Sequence, residues 1–241
     1  MTLANKLILI TGAARRVGRE LALAIARAGG NVVIHYGQSK ADAESLQAEI
    51  TSMGSEAHLL QADLKDNEQV EQVIPRAREY GPLFGLINNA AIFETWSWES
   101  TTLEVWNRHM LINLTVPFLL SQSFARQVPV NEAGRIINLL DWRALRPGAD
   151  HLPYTISKAG LVALTRSLAQ ALAPRISVNG LALGAILPPE SGPAPGNILE
   201  RVPAGRWADL HEVGQAAVFL LDGPSYITGE IIHIDGGRHL V

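Results

Sequence analysis

The chain has 241 residues, no cysteine, 47% hydrophobic and 18% charged residues, and a formal charge of -3. That length suits one α/β domain burying about 70% or more of its unfolded surface, and the charge offers no basic excess for nucleic acid or an anionic membrane. Disulfides and thiolate chemistry are excluded, and seven scattered histidines give no metal-ligand spacing.

Leu7-Ile8-Leu9-Ile10 is an apolar run that predicts a short strand, too short for a signal-peptide core. No stretch approaches the roughly 20 apolar residues of a membrane span, so a cytoplasmic protein is expected. Thr11 to Gly18 (T-G-A-A-R-R-V-G) predicts a glycine turn, and Glu20 to Ala28 a helix. Gly12 and Gly18 let the backbone approach a pyrophosphate, which the helix N-terminus then binds, with Arg15, Arg16 and Val17 in the same turn. Asn31 to Tyr36 is the second strand. An NAD enzyme ends this strand with an acid on the ribose hydroxyls, but here His35-Tyr36 leads into Gly37-Gln38-Ser39-Lys40. Arg16 and Ser39 instead offer donors suited to a phosphate, which points to NADPH.

Ser39 to Met53 is expected as a helix closed by Gly54, Ala57 to Gln61 as a strand leading to Asp63-Leu64, and Asp66 to Tyr80 as a helix capped by Asp66 and kinked at Pro75. Gly85 to Ala90 ends the fourth strand, with Asn88, Asn89 and Ala90 at its edge and the aromatics Phe93, Trp96 and Trp98 beyond. Leu103 to Ser123 reads as one long helix carrying Asn113. Gly134 to Leu140 is a strand that delivers Asp141 to the carboxyl edge of a parallel sheet, where ligands bind. Burial beside a stacked ring would raise the Asp141 pKa, so that it either stays protonated and acts with a neighbouring acid, or anchors ring N–H groups when ionised.

From Pro153 the pattern is helical for almost twenty residues, and Tyr154 and Lys158, four apart, share a face. A nearby ammonium is expected to lower the phenol's pKa from about 10, making Tyr154 a proton donor. Ile176 to Ala182 is a strand running towards Gly184 and Ile186, followed by a segment crowded with Pro and Gly, around 188–205, that reads as a substrate-covering loop. A last helix, Asp209 to Leu221, and a last strand, Gly229 to Ile234, precede Asp235-Gly236-Gly237-Arg238-His239-Leu240-Val241. Strand and helix alternate throughout, which predicts a single Rossmann-type doubly wound domain over 1–241 with a parallel sheet of about seven strands.

The glycine turn, Asn88-Asn89-Ala90 and Tyr154-x-x-x-Lys158 together resemble the short-chain dehydrogenase/reductase family along nearly the whole chain. Most members of that family place Ser thirteen residues before the Tyr and Gly in the middle of the turn; here those positions are Asp141 and Arg16. Both departures, the His35-Tyr36-x-x-Ser39 order and Phe93 resemble the pteridine reductase branch. The resemblance implies that Asp63 and Leu64 flank the adenine, that Asn89 and Ala90 line the sugars, and that Tyr154 and Lys158 contact the nicotinamide ribose. Ile186 would hold the carboxamide, Phe93 would sandwich a pterin, and Asn113 would hold a relay water beside Lys158. It also implies a homotetramer. The Gly-Gly-Arg-His-Leu tail is similar to that of bacterial dihydromonapterin reductases, and a tail of this kind would bring Arg238 or His239 to a partner's active site. The expected activity is NADPH-dependent reduction of a pterin, with dihydromonapterin, dihydrobiopterin, dihydrofolate and fully oxidised pterins all open. A general carbonyl or 3-oxoacyl reductase, expected to carry Ser at 141, is the alternative, and a non-catalytic NADPH sensor ranks last.

Overall fold

A computed structural model describes residues 3–186 and 199–241. The strands are β1 (Leu7–Ile10), β2 (Asn31–Tyr36), β3 (Ala57–Gln61), β4 (Leu83–Asn88), β5 (Gly134–Asp141), β6 (Ile176–Leu183) and β7 (Ile231–Ile234). They form one sheet in the order β3-β2-β1-β4-β5-β6-β7, every pair parallel. The chain therefore winds outward from β1 in one direction and from β4 in the other. The crevice between β1 and β4, at their carboxyl ends, is the point where such a sheet binds ligands.

The helices are α1 (Arg16–Arg27), α2 (Lys40–Ser52), α3 (Asn67–Ala77), α4 (Leu103–Met110), α5 (Val116–Gln127), α6 (Leu152–Leu172) and α7 (Leu210–Asp222). A strand covered on both faces must be apolar at every position, and the β1 run shows the result. Ile8 and Ile10 point into a core with Leu21 and Ile25 of α1, Leu46 of α2 and Val213 of α7. Leu7 and Leu9 point the other way, into a core with Val73 of α3, Phe124 of α5 and Ala169 of α6.

Three boundaries depart from the sequence expectation. Helix α1 starts at Arg16, ahead of Glu20, because the end of the turn already bonds helically, Arg19 N–H donating to the Arg15 carbonyl at 3.2 Å. The long helix expected over 103–123 is broken by a widened π turn, Leu111–Thr115, that contains Asn113. Pro117 has no N–H to give the Asn113 carbonyl four residues earlier, and the widened turn falls at this break. Strand β7 begins at Ile231 because Asn179 takes over the pairing before it, accepting from Glu230 N–H and donating to the Ile227 carbonyl, each at 3.0 Å.

Pro75 sits inside the last turns of α3, and the helix expected to reach Tyr80 closes as a tight turn, Arg78–Tyr80. The expected substrate loop lies in part outside the described residues; within them, Leu199–Arg201 is a single tight turn and Ala204 N–H donates to the Gly236 carbonyl at 3.0 Å.

Candidate active site

The turn after β1 is braced from both sides. Thr11 Oγ1 accepts from the Asn89 and Ala90 N–H groups at 3.0 Å each, and Asn89 Nδ2 donates to the carbonyls of Thr11 (2.8 Å) and Gly12 (3.1 Å). From β2, His35 Nδ1 accepts from Gly12 N–H at 3.1 Å while Nε2 lies 3.2 Å from the Ala62 carbonyl. The accepting Nδ1 and the carbonyl at Nε2 fix the neutral tautomer with its proton on Nε2. Burial lowers this imidazole to about 4, with Arg76 adding to the effect. Gly12 has φ 62°, where a side chain would be strained, and a Cβ on Gly18 would collide with the Gly12 carbonyl. Arg16, in the middle position, has φ 54°, a left-handed conformation that a glycine adopts freely and an arginine does not.

The side chains of the expected cofactor set lie as follows. His35 is 2% exposed with both ring nitrogens engaged, so it holds the glycine turn from beneath. The side chains of Tyr36 and Leu64 lie in the two cores. Arg15 is exposed and lies 3.9 Å from Asp42, Ser39 stands at the N-terminal cap of α2, and Asp63 is exposed with its carboxylate accepting from Lys65 N–H. Gly184 approaches the next strand so closely that a Cβ would lie 2.6 Å from Asp235 Cα, and Ile186 N–H turns back onto the Gly184 carbonyl at 3.0 Å.

At the end of β5 and the start of α6 the expected proton-handling groups come together. Tyr154 Oη donates to Asp141 Oδ2 at 3.1 Å, and Asp141 Oδ1 accepts from Arg143 N–H at 2.8 Å. Burial raises the Asp141 pKa despite Arg143 and Lys158 nearby. Lys158 is buried, donates to the Leu139 carbonyl at 2.6 Å and is lowered by burial to about 8. The expectation that its ammonium lowers the Tyr154 phenol is overturned. Burial and the adjoining Asp141 push that phenol well above 10, while the ammonium is directed at a carbonyl.

Asn113 Oδ1 accepts from Ile92 N–H (2.9 Å), and its Nδ2 donates to the Ile92 carbonyl and to Ser157 Oγ at 3.0 Å each. Its side chain therefore ties the loop after β4 to α6. That loop carries Phe93, 55% exposed, edge-on to Tyr154 with ring centroids 4.7 Å apart.

The residues that sequence reasoning did not find are His151, Arg143 and Trp142. His151 caps α6 with φ 53° and stacks on one face of Phe93 at 4.2 Å. Arg143 bonds Asp150 at 3.3 Å, and Arg238 lies 4.3 Å over the Trp142 ring of its own chain. Only the D-W-R run itself could have drawn attention to Trp142 and Arg143; nothing local marks the other contacts.

Fold and site together define a dinucleotide-binding α/β oxidoreductase. Residues 12–239 match the family model described as Enoyl-(Acyl carrier protein) reductase. The chain is 32% identical to the 3-oxoacyl-[acyl-carrier-protein] reductase of Synechocystis, over 98% of its own length and 97% of that protein. It is 33% identical to the corresponding reductase of Aquifex aeolicus, covering 98% of each. Among solved structures, FolM alternative dihydrofolate reductase 1 from Brucella canis, complexed with NADP, superposes with a TM-score of 0.91 at 33% identity over 100% of this chain and 97% of that one. A blue fluorescent protein from a metagenomic library, complexed with NADPH, has a TM-score of 0.91 at 30% identity over 99% of each. The chain belongs to the short-chain dehydrogenase/reductase family. Among the described residues no helix is long and apolar enough to cross a membrane.

Proposed function

We propose that the protein reduces a pterin with NADPH, taking a dihydropterin such as dihydromonapterin or dihydrobiopterin, or dihydrofolate, to the tetrahydro form. The observation that carries this reading is the Tyr154–Asp141 hydrogen bond beside the exposed ring of Phe93. A flat heterocycle gains from offset stacking on that ring, and a carboxyl group next to the phenol matches the adjacent ring nitrogens and amino group of a pterin.

NADPH, when bound, supplies the hydride. The Gly12–Gly18 turn and the N-terminus of α1 take its pyrophosphate. Gly37, Gln38 and Ser39 after β2 are neutral, so a 2′-phosphate meets no acid from that stretch, and Arg16 and Ser39 provide donors for it. Tyr154 then gives up the phenolic proton, and Asp141, holding its own proton to higher pH than an ordinary carboxyl, restores it or donates directly. Lys158 keeps a positive charge behind the pair, and Asn113 positions Ile92, hence the loop of Phe93, against α6. Assembly as a homotetramer in the cytoplasm belongs to the same reading.

A second reading, reduction of a 3-oxoacyl thioester, is favoured by the names of the Synechocystis and Aquifex relatives. NADPH oxidation with dihydropterins and with an acetoacetyl thioester, run in parallel, separates the two. Turnover of the thioester alone would replace the first reading with the second.

A further inference from the structure

The C-terminal turn takes no part in the chemistry above, yet it is firmly built. Asp235, buried at the end of β7, accepts through Oδ1 from Gly237 N–H at 2.9 Å. Its Oδ2 accepts from His239 N–H at 2.9 Å and lies 2.8 Å from His239 Nδ1. His239 in turn stacks on His233 with ring centroids 3.9 Å apart. These contacts fix the tight turn Arg238–Leu240, and with it the direction of Arg238.

Arg238 comes to 4.3 Å from the Trp142 ring centroid and Arg143 to 5.0 Å from the same ring. Two guanidinium groups thus converge on the residue next to Asp141. Arg143 has Asp150 at 3.3 Å and Asp141 at 3.7 Å. Among the described residues Arg238 has no carboxylate within ion-pair distance, and its buried Nε has no hydrogen-bond partner. Burial is the largest influence lowering the Arg238 pKa; Arg143 and Arg201 act on it as like charges, and Asp141 and Asp150 act on it as opposite charges from beyond ion-pair distance. A half-buried guanidinium whose buried Nε is short of an acceptor among the described residues is a built half of an anion site: its fork suits a carboxylate or a phosphate.

We propose that Arg238, presented by the Asp235–His239 clamp and supported by Arg143 across Trp142, recognises an anionic group at the end of the substrate remote from the reacting ring. Among the substrates of the proposed reduction this favours those with a carboxylate or phosphate tail over the neutral ones. The inference rests on Asp141 and Tyr154 marking the reaction centre. Two tails have this chemistry: the glutamate carboxylates of a folate and the phosphates of a coenzyme A thioester.

The test is calorimetric binding to the full-length protein loaded with NADP+, in the wild type, Arg238→Gln and Arg238→Lys. The probes are dihydrofolate against dihydrobiopterin, and acetoacetyl-coenzyme A against the acetoacetyl thioester of N-acetylcysteamine. Arg238→Gln should weaken the anionic member of at least one pair about 10- to 100-fold, the range of a hydrogen bond to a charged group. It should leave the neutral member and NADP+ within about twofold, and Arg238→Lys should recover part of the loss. Equal weakening of both members, no weakening, or no wild-type binding of either anionic probe overturns the proposal. Turnover is scored separately: reduction confined to the thioesters removes the pterin reading while the binding contrast still decides the role of Arg238.

Discussion

Tyr154, in the first turn of α6, donates its phenolic proton to Asp141, the last residue of β5, across 3.1 Å. Strand and helix ends thus meet at one hydrogen bond between a buried phenol and a half-buried carboxyl group, each pushed up by loss of solvent. If Tyr154 delivers the proton, Tyr154→Phe loses the donor and keeps the ring that packs edge-on to Phe93. The rate constant kcat should fall by about 10²-fold or more, the usual worth of a positioned acid, with NADPH affinity within about twofold. Steady-state kinetics and a fluorescence titration of NADPH check both halves.

Asp141 should set the alkaline limb of the rate profile. Because its pKa is raised, it holds a proton below that value and loses it as pH rises through it, which leaves a carboxylate that makes the Tyr154 phenol harder to ionise. For pterin reduction, kcat/KM should decline with rising pH in the wild type. Asp141→Asn, which cannot ionise, should be slower and keep no alkaline limb beyond the one that Lys158 sets at about 8, and a limb unchanged in Asp141→Asn assigns it to another group.

His35 gives the fold an acid-sensitive strut. Its folded pKa is depressed to about 4 from 6.5, so its contribution to stability is complete above 6.5 and is lost as pH falls through about 4. The size is about 3 kcal/mol, since each pKa unit is worth about 1.4 kcal/mol. Protonation would remove the acceptor of Gly12 N–H, so the glycine turn should loosen first. His35→Gln can accept from Gly12 and donate to Ala62 without titrating. Urea midpoints at pH 7 and pH 4 should show a markedly smaller acid loss in His35→Gln than in the wild type.

Arg16 combines strain with selectivity. Its φ of 54° is costly for a side chain, about 1 kcal/mol or more. Arg16→Gly should raise the melting temperature by a few degrees while reducing the preference for NADPH over NADH about tenfold or more. Arg16→Ala should lose the preference without the thermal gain. Unchanged cofactor ratios in both variants would separate Arg16 from phosphate recognition.

Phe93 should matter to the substrate alone. Removing one stacked ring in Phe93→Ala costs about 0.5–1.5 kcal/mol, seen as a KM for pterin raised by about 2- to 12-fold with NADPH binding unchanged. A rise in the NADPH dissociation constant of similar size would place the ring against the cofactor.

The sheet was legible because a strand buried on both faces leaves a continuous apolar run, as at Leu7–Ile10 and, within β2, Val32–Ile34, and a turn residue or cap marks each end. Tyr154 and Lys158 were legible because helical spacing alone puts them on one face. What the sequence did not reveal depends on a third residue or on depth. The pKa of Tyr154 is set by burial and by Asp141, thirteen residues away, more than by Lys158 one turn on. His35 sits in the nucleotide-binding stretch, yet its ring turns inward because Gly12 and Ala62 both need a partner there. The contacts of Phe93 with His151 and of Trp142 with Arg238 join loops with no local pattern to link them.

If Asp141 and Phe93 select a pterin, substrate choice should follow Asp141. The most direct measurement is NADPH consumption by the wild type and by Asp141→Ser, with dihydrobiopterin, dihydromonapterin, dihydrofolate and an acetoacetyl thioester side by side. The wild type should turn over at least one pterin and none of the thioester, and Asp141→Ser should lose pterin turnover by about tenfold or more. Wild-type turnover confined to the thioester would contradict it.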